Sequence, residues 1–432
     1  MYVSKYLFSA PTTVGTVVVR QMMSGGIIEL PTEAESWLRQ GQFDRFNEEE
    51  LDLLLDQEFV YPEPRDEGAE FLDNYKLLWE STDQLTLNIL PTTSCQLECV
   101  YCYEDGICRN KVMTANTEDT LVKWVEDYLK KTGLPRLRII WFGGEPLLCK
   151  KKVARLSESF VEISERLGVA LESQIVTNAV LLDEKVLAGL KRAGLSRVQI
   201  TLDGPPKHHD LRRYMKKTGK GTFDTVHKAI LLAAQGGYVE KVNLRVNIDR
   251  QNYEGIGELF ELLSNDGIQD RIHLSIGLIT NTLPTESCVN KANEYFKENG
   301  LKGDEIPLAY LHTARVAKKY GFELPNQYGI GPWCIARNPH AWLIGPDGEA
   351  YKCLSMVGRS EGVVGQLPQT PIENPIADQT IEDIKHCIEK ECPMLPICGG
   401  GCHFERKVGT AACLRPLLEE LNSGLMRLEY SG

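Results

Sequence analysis

Cys95, Cys99 and Cys102 stand in the run Thr93-Ser94-Cys95-Gln96-Leu97-Glu98-Cys99-Val100-Tyr101-Cys102-Tyr103. Their spacing is CxxxCxxC, with an aromatic residue directly before the third cysteine. Three thiolates this close can hold three irons of a 4Fe–4S cluster and leave the fourth iron open to a small molecule. Soft thiolates suit iron–sulfur chemistry, and most such clusters take four cysteines, so a set of three is informative. A zinc knuckle or free thiols are the competing readings of the same residues.

Three further motifs lie downstream. Trp141-Phe142-Gly143-Gly144-Glu145-Pro146 combines a glycine pair, which lets backbone approach a ligand closely, with a carboxylate able to hold an ammonium group. Thr177-Asn178 follows. Ile200-Thr201-Leu202-Asp203-Gly204-Pro205 then runs on to His209-Asp210, Arg213 and Gly221-Thr222-Phe223. Arg213 could pair with a carboxylate. Asp203 reads equally as a turn residue before Gly204.

These motifs need strands to position them. Residues 84–285 alternate strand and helix patterns, which implies a parallel sheet. Six strands are expected, at 85–89, 138–142, 173–176, 198–202, 242–246 and 272–276. Helical patterns lie between them, as at Leu121 to Leu129, Val153 to Leu167 and Thr225 to Ala234. Six βα units are too few for a closed eight-unit barrel. Active sites in such barrels sit at the C-terminal strand ends, and the cysteine loop begins just after the first strand.

Taken together, the motifs resemble those of the radical S-adenosylmethionine (radical SAM) family, whose members use an open partial (β/α)6 barrel. The stretch from Thr201 through Phe223 resembles anaerobic sulfatase maturases and related peptide-modifying members. The resemblance implies S-adenosylmethionine as a cofactor beside the Cys95, Cys99, Cys102 cluster. It sets Tyr101 against the adenine, Gly143, Gly144, Glu145 and Pro146 at the methionine, and Asn178 at the ribose. It places Thr201, Asp203 and Arg213 in the same cofactor-binding set. The family often has Gly after the residue matching Asn178, where this chain has Ala179.

The last hundred residues, 333–432, hold seven of the 13 cysteines and few long periodic segments, which implies a domain held by metal centres. Cys334, Gly348 with Cys353, Cys392, Cys398, Cys402 and Cys413 follow an order resembling the SPASM domain, which carries two auxiliary 4Fe–4S clusters. By resemblance Cys334, Cys353 and Cys402 would hold the inner cluster, and Cys387, Cys392, Cys398 and Cys413 the outer one. The family usually places another Cys ahead of the one matching Cys392, with CxxC spacing; that position is Glu389 here, and Cys387, with CxxxxC spacing, is the substitute. Either His340 completes the inner set or its fourth iron is open. Cys108, Cys149 and Cys288 belong to no motif and read as packed or free thiols.

Residues 1–83 read as short strands followed by short helices, with Thr32 as a helix N-cap and Leu51, Leu54 and Leu55 on one helix face. This pattern resembles the winged-helix-like leader-peptide recognition element of enzymes that modify ribosomally made peptides. Residues 286–332 read as bridging helices. The whole is thus expected to be an α/β protein: a winged-helix-like domain (1–83), a partial TIM-like barrel (84–285), bridging helices and an iron–sulfur SPASM domain (333–432).

The net charge of −12 over 432 residues is uneven: residues 1–83 carry six Lys and Arg against 17 Asp and Glu, a net of −11. An acidic segment argues against nucleic acid and suits a basic peptide, or simply solubility. No apolar run reaches membrane-spanning length, and the N-terminus lacks a signal-peptide core. A cytoplasmic chain with 13 cysteines is expected to use them as metal ligands rather than disulfides. The expected activity is a radical cross-link in a precursor peptide, a Cys thioether, with three clusters and an electron donor such as a flavodoxin or ferredoxin. The alternatives are a carbon–carbon cyclophane link or formylglycine formation.

Overall fold

Val17, Val18 and Val19 are β-branched, stiff at χ1 and suited to a pleated surface, and they form the central strand of the first sheet. The structure is a computed structural model that describes every residue except 81, 103, 105–109, 281–290, 326–327, 330–333, 370–374, 403–412 and 431–432. Cys108 and Cys288 lie outside the described residues. The chain divides into two units that are not contiguous in sequence. One is Met1–Ser81, Pro325–Arg337 and Pro375–Gly432; the other is Thr82–Leu324 and Asn338–Asn374.

In the first unit β1 (Tyr2–Val3) pairs antiparallel with β5 (Val60–Tyr61). Strands β2 (Leu7–Pro11), β3 (Thr16–Gln21) and β4 (Ile27–Pro31) form an antiparallel sheet in that order. Helices Thr32–Gln40, Glu48–Asp56 and Glu67–Glu80 follow. The first is capped by Pro31, not Thr32, whose hydroxyl donates to the Gly15 carbonyl at 3.0 Å. The second starts with a reciprocal Asn47–Glu50 capping box and buries Leu54 against Val19, Leu38 and Phe59, with Leu51 and Leu55 packed at the margin. The other side of this region shares a core with the end of the chain. Tyr6, Met22 and Tyr75 pack with Ile384, Met394, Leu395 and Leu418, and helix Arg415–Tyr430 lies against β2. Among the described residues no strand pairs with the outer edge of β4.

The second unit contains β6 (Gln84–Ile89), β7 (Leu97–Cys99), β8 (Arg136–Trp141), β9 (Ala170–Thr177), β10 (Leu195–Thr201) and β11 (Arg213–Met215). It continues with β12 (Val242–Ile248), β13 (Ile272–Leu278), β14 (Ala341–Ile344), β15 (Glu349–Tyr351) and β16 (Val363–Gln366). The six expected strands are β6, β8, β9, β10, β12 and β13. They pair in parallel in chain order, as a radical SAM-type partial barrel requires. Crossover helices Ala115–Thr132, Lys150–Leu167, Glu184–Arg192, Phe223–Gln235 and Gly257–Asn265 connect them. Side-chain caps start two of these: Thr114 accepts the Thr117 N–H and Asp183 the Val186 N–H. On β12, Val242, Leu244, Val246 and Ile248 are buried in the helix-facing core, while Asn243, Arg245 and Asn247 take the other face.

Three more strands extend this sheet beyond β6: β14 in parallel, then β15 and β16 antiparallel. Residues 333–432 are therefore richer in regular structure than their sequence pattern indicates. Ala341-Trp342-Leu343-Ile344 is buried on both faces, so it shows no alternation, and it is too short to stand out. No described helix is long and apolar enough to cross a membrane.

Candidate functional site

The loop after β6 carries the first three cysteines, and it is pinned from two sides. Short strand β7 pairs antiparallel with β11, which sets Arg213 opposite Cys99 and Met215 opposite Leu97. The loop after β8 holds the other flank: Phe142 N–H donates to Ile89 O at 2.9 Å and Glu145 N–H to Ser94 O at 2.9 Å. The glycine pair makes this approach possible. A Cβ on Gly144 would lie 2.4 Å from Ser94 O, and one on Gly143, whose φ is +108°, would lie 2.4 Å from Thr92 O. The glycines thus admit the cysteine loop's own backbone, a role beyond ligand access.

The three thiols open onto one cavity of about 450 Å³, whose wall also includes Tyr101, Gly143, Gly144, Asn178, Thr201 and Arg213. Burial pushes the Cys95 thiol up to about 11 and Cys102 to about 12, with the neighbouring Cys99 adding to both. Cys99 is raised by burial too, against the pull of Arg213. Without a cation these thiols stay protonated, so loading metal must expel protons. Leu97 N–H and Asn178 Nδ2 point at Cys95 Sγ from 3.4 and 3.5 Å, as donors to a thiolate would. Among the described residues no three His, Cys, Asp or Glu side chains converge as a single metal ion needs. Three soft thiols on one wall suit an iron–sulfur cluster, which spreads its ligands over separate irons.

Glu145, Pro146 and Asp203 are not on the wall. Glu145 is fully buried and its oxygens are committed. Oε1 accepts Leu147 N–H at 2.9 Å and Thr177 Oγ1–H at 2.8 Å, while Oε2 accepts Asn178 N–H at 2.7 Å. Burial raises its pKa and these donors oppose the rise. It ties the β8 and β9 ends together. Asn178 can then reach Cys95, and it also accepts from Gln96 Nε2 at 3.1 Å. Ala179 makes this bend with φ +62°, in the left-handed region, while fully buried. A Cβ there costs about 1–2 kcal/mol, and glycine gives back about 0.5–1 kcal/mol in unfolded-state entropy. Ala179→Gly should therefore stabilise the protein by about 0.5–1 kcal/mol in denaturant titration, and a loss of stability would show the bend to be unstrained.

Sequence reasoning named Tyr101, Asp203 and Arg213 but not their contact with one another, and it missed Asn247. The Tyr101 hydroxyl donates to Asp203 and accepts from Arg213 Nη1 at 2.8 Å and Asn247 Nδ2 at 3.3 Å. Asp203 Oδ1 accepts Asn247 N–H at 2.9 Å, and Asn252 Nδ2 donates to Asp203 O at 2.7 Å. His209 completes the frame. Burial, and then Arg213, push it down to about 3, so the ring is neutral. Its Nδ1 accepts the Asp203 N–H at 3.2 Å, and Nε2 meets Thr222 Oγ1 at 3.1 Å, which donates to Arg213 O. The HD…R…GTF pattern carried the signal for His209 and Thr222; nothing in the sequence marked Asn247 or Asn252.

A second thiol group lies in the first unit. Cys387, Cys392, Cys398, Cys402 and Cys413 line one small hollow. Cys387 sits in the last turn of helix Pro375–Glu389, and Cys392 N–H returns to its carbonyl at 3.1 Å, so the CxxxxC spacing spans a helix end. Cys402, expected in the inner set, borders this hollow too. Cys334 belongs to the same unit and Cys353 to the other. His340 stands where β14 begins, the opposite sheet end from the Cys95 loop, with Nδ1 2.7 Å from Tyr128 Oη. Cys149 is a half-buried free thiol.

Known proteins match the part of the chain that carries the first thiol group. Residues 89–263 fit the model of the radical SAM superfamily. The Fe-coproporphyrin III synthase of Methanosarcina barkeri is 32% identical over 177 residues, 41% of this chain and 40% of that protein. A serine-type anaerobic sulfatase-maturating enzyme of Bacteroides thetaiotaomicron is 27% identical over 150 residues, 33% of this chain and 34% of that protein. The chain thus spans well under two thirds of either relative. The solved structure of native anSMEcpe with bound AdoMet and Kp18Cys peptide superposes with a TM-score of 0.60 at 18% identity, covering 80% of this chain and 98% of that one. Fold, thiol spacing and family model agree that this chain carries a radical SAM domain.

Proposed function

We propose that the protein is a radical SAM enzyme that cross-links a ribosomally made precursor peptide, joining a Cys sulfur to a neighbouring carbon as a thioether. The observation that carries the radical SAM part of this reading is the meeting of Cys95, Cys99 and Cys102 with Arg213 on one cavity wall. Arg213 is 8% exposed, and its Nε has no hydrogen-bond partner among the described residues. A buried guanidinium with an unused donor fits an anionic group, such as the methionine carboxylate.

A 4Fe–4S cluster and S-adenosylmethionine bound together supply a 5′-deoxyadenosyl radical that takes hydrogen from an unactivated carbon. The chain's own part is binding and orientation. In this reading Cys95, Cys99 and Cys102 hold the irons, Arg213 takes the carboxylate, and Tyr101 faces the adenine. Asn178 stands at the ribose, Thr201 is a further cofactor contact, and Gly143 and Gly144 keep the methionine side open. Glu145 acts by holding two strand ends rather than by touching the ammonium. Cys334, Cys353 and Cys402, with His340 or an open iron, and the set Cys387, Cys392, Cys398 and Cys413 would hold auxiliary clusters. A flavodoxin or ferredoxin would supply electrons.

Residues 1–83 are read as the leader-binding element. The outer edge of β4 is unpaired, and an extended peptide can add there as a strand. The net charge of −11 in this segment suits basic side chains. The anSMEcpe structure, whose likeness is of fold, has both AdoMet and a peptide bound. The sulfatase-maturating relative favours a second reading, oxidation of one Cys or Ser to formylglycine.

Incubating the anaerobically reconstituted protein with a short Cys-rich precursor encoded beside its gene separates the readings. A product lighter by a pair of hydrogens, with one Cys resistant to alkylation, is expected. All cysteines alkylatable after the same loss would mean a carbon–carbon link, and an aldehyde that captures a hydrazide would mean formylglycine. Cofactor cleavage with no change in any such peptide would sink the peptide reading.

A further inference from the structure

A buried charge network behind Tyr101 has no part in the contacts assigned so far. Arg212 is 2% exposed. Its Nη1 donates to Asp249 Oδ2 at 2.6 Å and to Tyr295 Oη at 2.9 Å, and its Nη2 donates to Asn247 O at 3.2 Å. Tyr295, on helix Lys291–Asn299, donates its own hydroxyl proton to Asp249 Oδ2 at 2.8 Å. Thus the guanidinium, carboxylate and phenol close a three-membered ring of hydrogen bonds. Arg212 meets the cysteine loop twice. Its backbone carbonyl accepts Val100 N–H at 3.1 Å, and its guanidinium carbon stands 4.9 Å over the Tyr101 ring centre.

That stacking matters because of what the hydroxyl contacts leave undone. Asp203, Arg213 and Asn247 fix the far end of the Tyr101 side chain. A phenol held only at its oxygen can still turn about its long axis, since χ2 of tyrosine is broad. A planar cation against one face stops that rotation. The cation must itself be held, because a long side chain otherwise samples many rotamers. Asp249, Tyr295 and the Asn247 carbonyl hold it, with Asp203 Oδ2 3.8 Å from its Nε.

We infer that Tyr295 is a positioning residue for the cofactor site: through Asp249 it locks Arg212 flat on Tyr101, so that the ring is set for stacking on a purine. The inference rests on S-adenosylmethionine as the ligand of the cavity. It gives helix Lys291–Asn299, which contributes nothing to the cavity wall, a hand in nucleoside affinity.

Tyr295→Phe deletes one hydroxyl and keeps the ring. The reconstituted full-length variant should keep its iron and its affinity for methionine, yet bind 5′-deoxyadenosine and S-adenosylhomocysteine about five- to tenfold more weakly. Arg212→Lys, which keeps a charge on Asp249 but removes the planar group, should show the same selective loss. Unchanged nucleoside affinity in Tyr295→Phe would overturn the inference, and so would an equal loss for methionine, which marks a merely structural role. If the wild-type holoenzyme binds no adenosyl ligand, the cofactor reading fails and takes this inference with it.

Discussion

Gly144→Ala should strip the protein of the iron held at Cys95, Cys99 and Cys102. The new methyl group would lie 2.4 Å from Ser94 O and 2.6 Å from Thr93 O, closer than real Cβ contacts come. Both obstacles are backbone, one and two residues before Cys95, so no rotamer change relieves them. Either the cysteine loop moves or the β8 loop does, and Glu145 N–H to Ser94 O breaks in both cases. Overpacking of this kind costs about 1–3 kcal/mol. Thiols spaced to reach separate irons tolerate little displacement, so the expected readout is iron content, with a modest fall in the unfolding midpoint. Full iron with weakened S-adenosylmethionine binding would show instead that the glycine serves only the ligand.

Cys95→Ala, Cys99→Ala and Cys102→Ala combined should abolish S-adenosylmethionine cleavage outright. Ten motif thiols grouped as read here imply roughly twelve irons per chain, and the triple variant should lose about a third of them. The hollow lined by Cys387, Cys392, Cys398 and Cys413 belongs to the other unit and should keep its share. Iron is counted colorimetrically after anaerobic reconstitution, and cleavage is followed as 5′-deoxyadenosine release. A wild type holding four irons or fewer would refute the auxiliary clusters. A triple variant that still releases 5′-deoxyadenosine would refute the assignment of the first three thiols.

The six parallel strands were legible because each is a separate apolar run flanked by turn residues, and a parallel order follows from the intervening helices. The cysteine loop was legible from spacing alone. The β7–β11 pairing was not, because three-residue strands have no measurable period and their partners lie more than a hundred residues apart. Arg213 was marked by its motif, but Arg212 carried no signal; only tertiary burial among Asp203, Asp249 and two tyrosines gives it a role. Glu145 and Asp203 fell in the correct motifs, yet their carboxylates face neighbouring strand ends, a direction no motif encodes. Likewise Tyr6, Met22 and Tyr75 were visible as apolar residues, whereas their packing with Ile384 and Met394 depends on a chain return that no local pattern announces.

That chain return sets an order of events during synthesis. Tyr6, Met22 and Tyr75 leave the ribosome long before Ile384, Met394 and Leu418, the residues that complete their core. At about 5–20 residues per second, roughly 300 intervening residues take on the order of 15–60 s. Through that interval the nascent N-terminal segment exposes an unfinished apolar face, one that chaperones can recognise. The thiols around Cys392 share that core with Leu418, so their surroundings stay incomplete until helix Arg415–Tyr430 has emerged and packed on β2. A ribosome stalled before residue 415 would thus present those thiols without the helix that packs beside them.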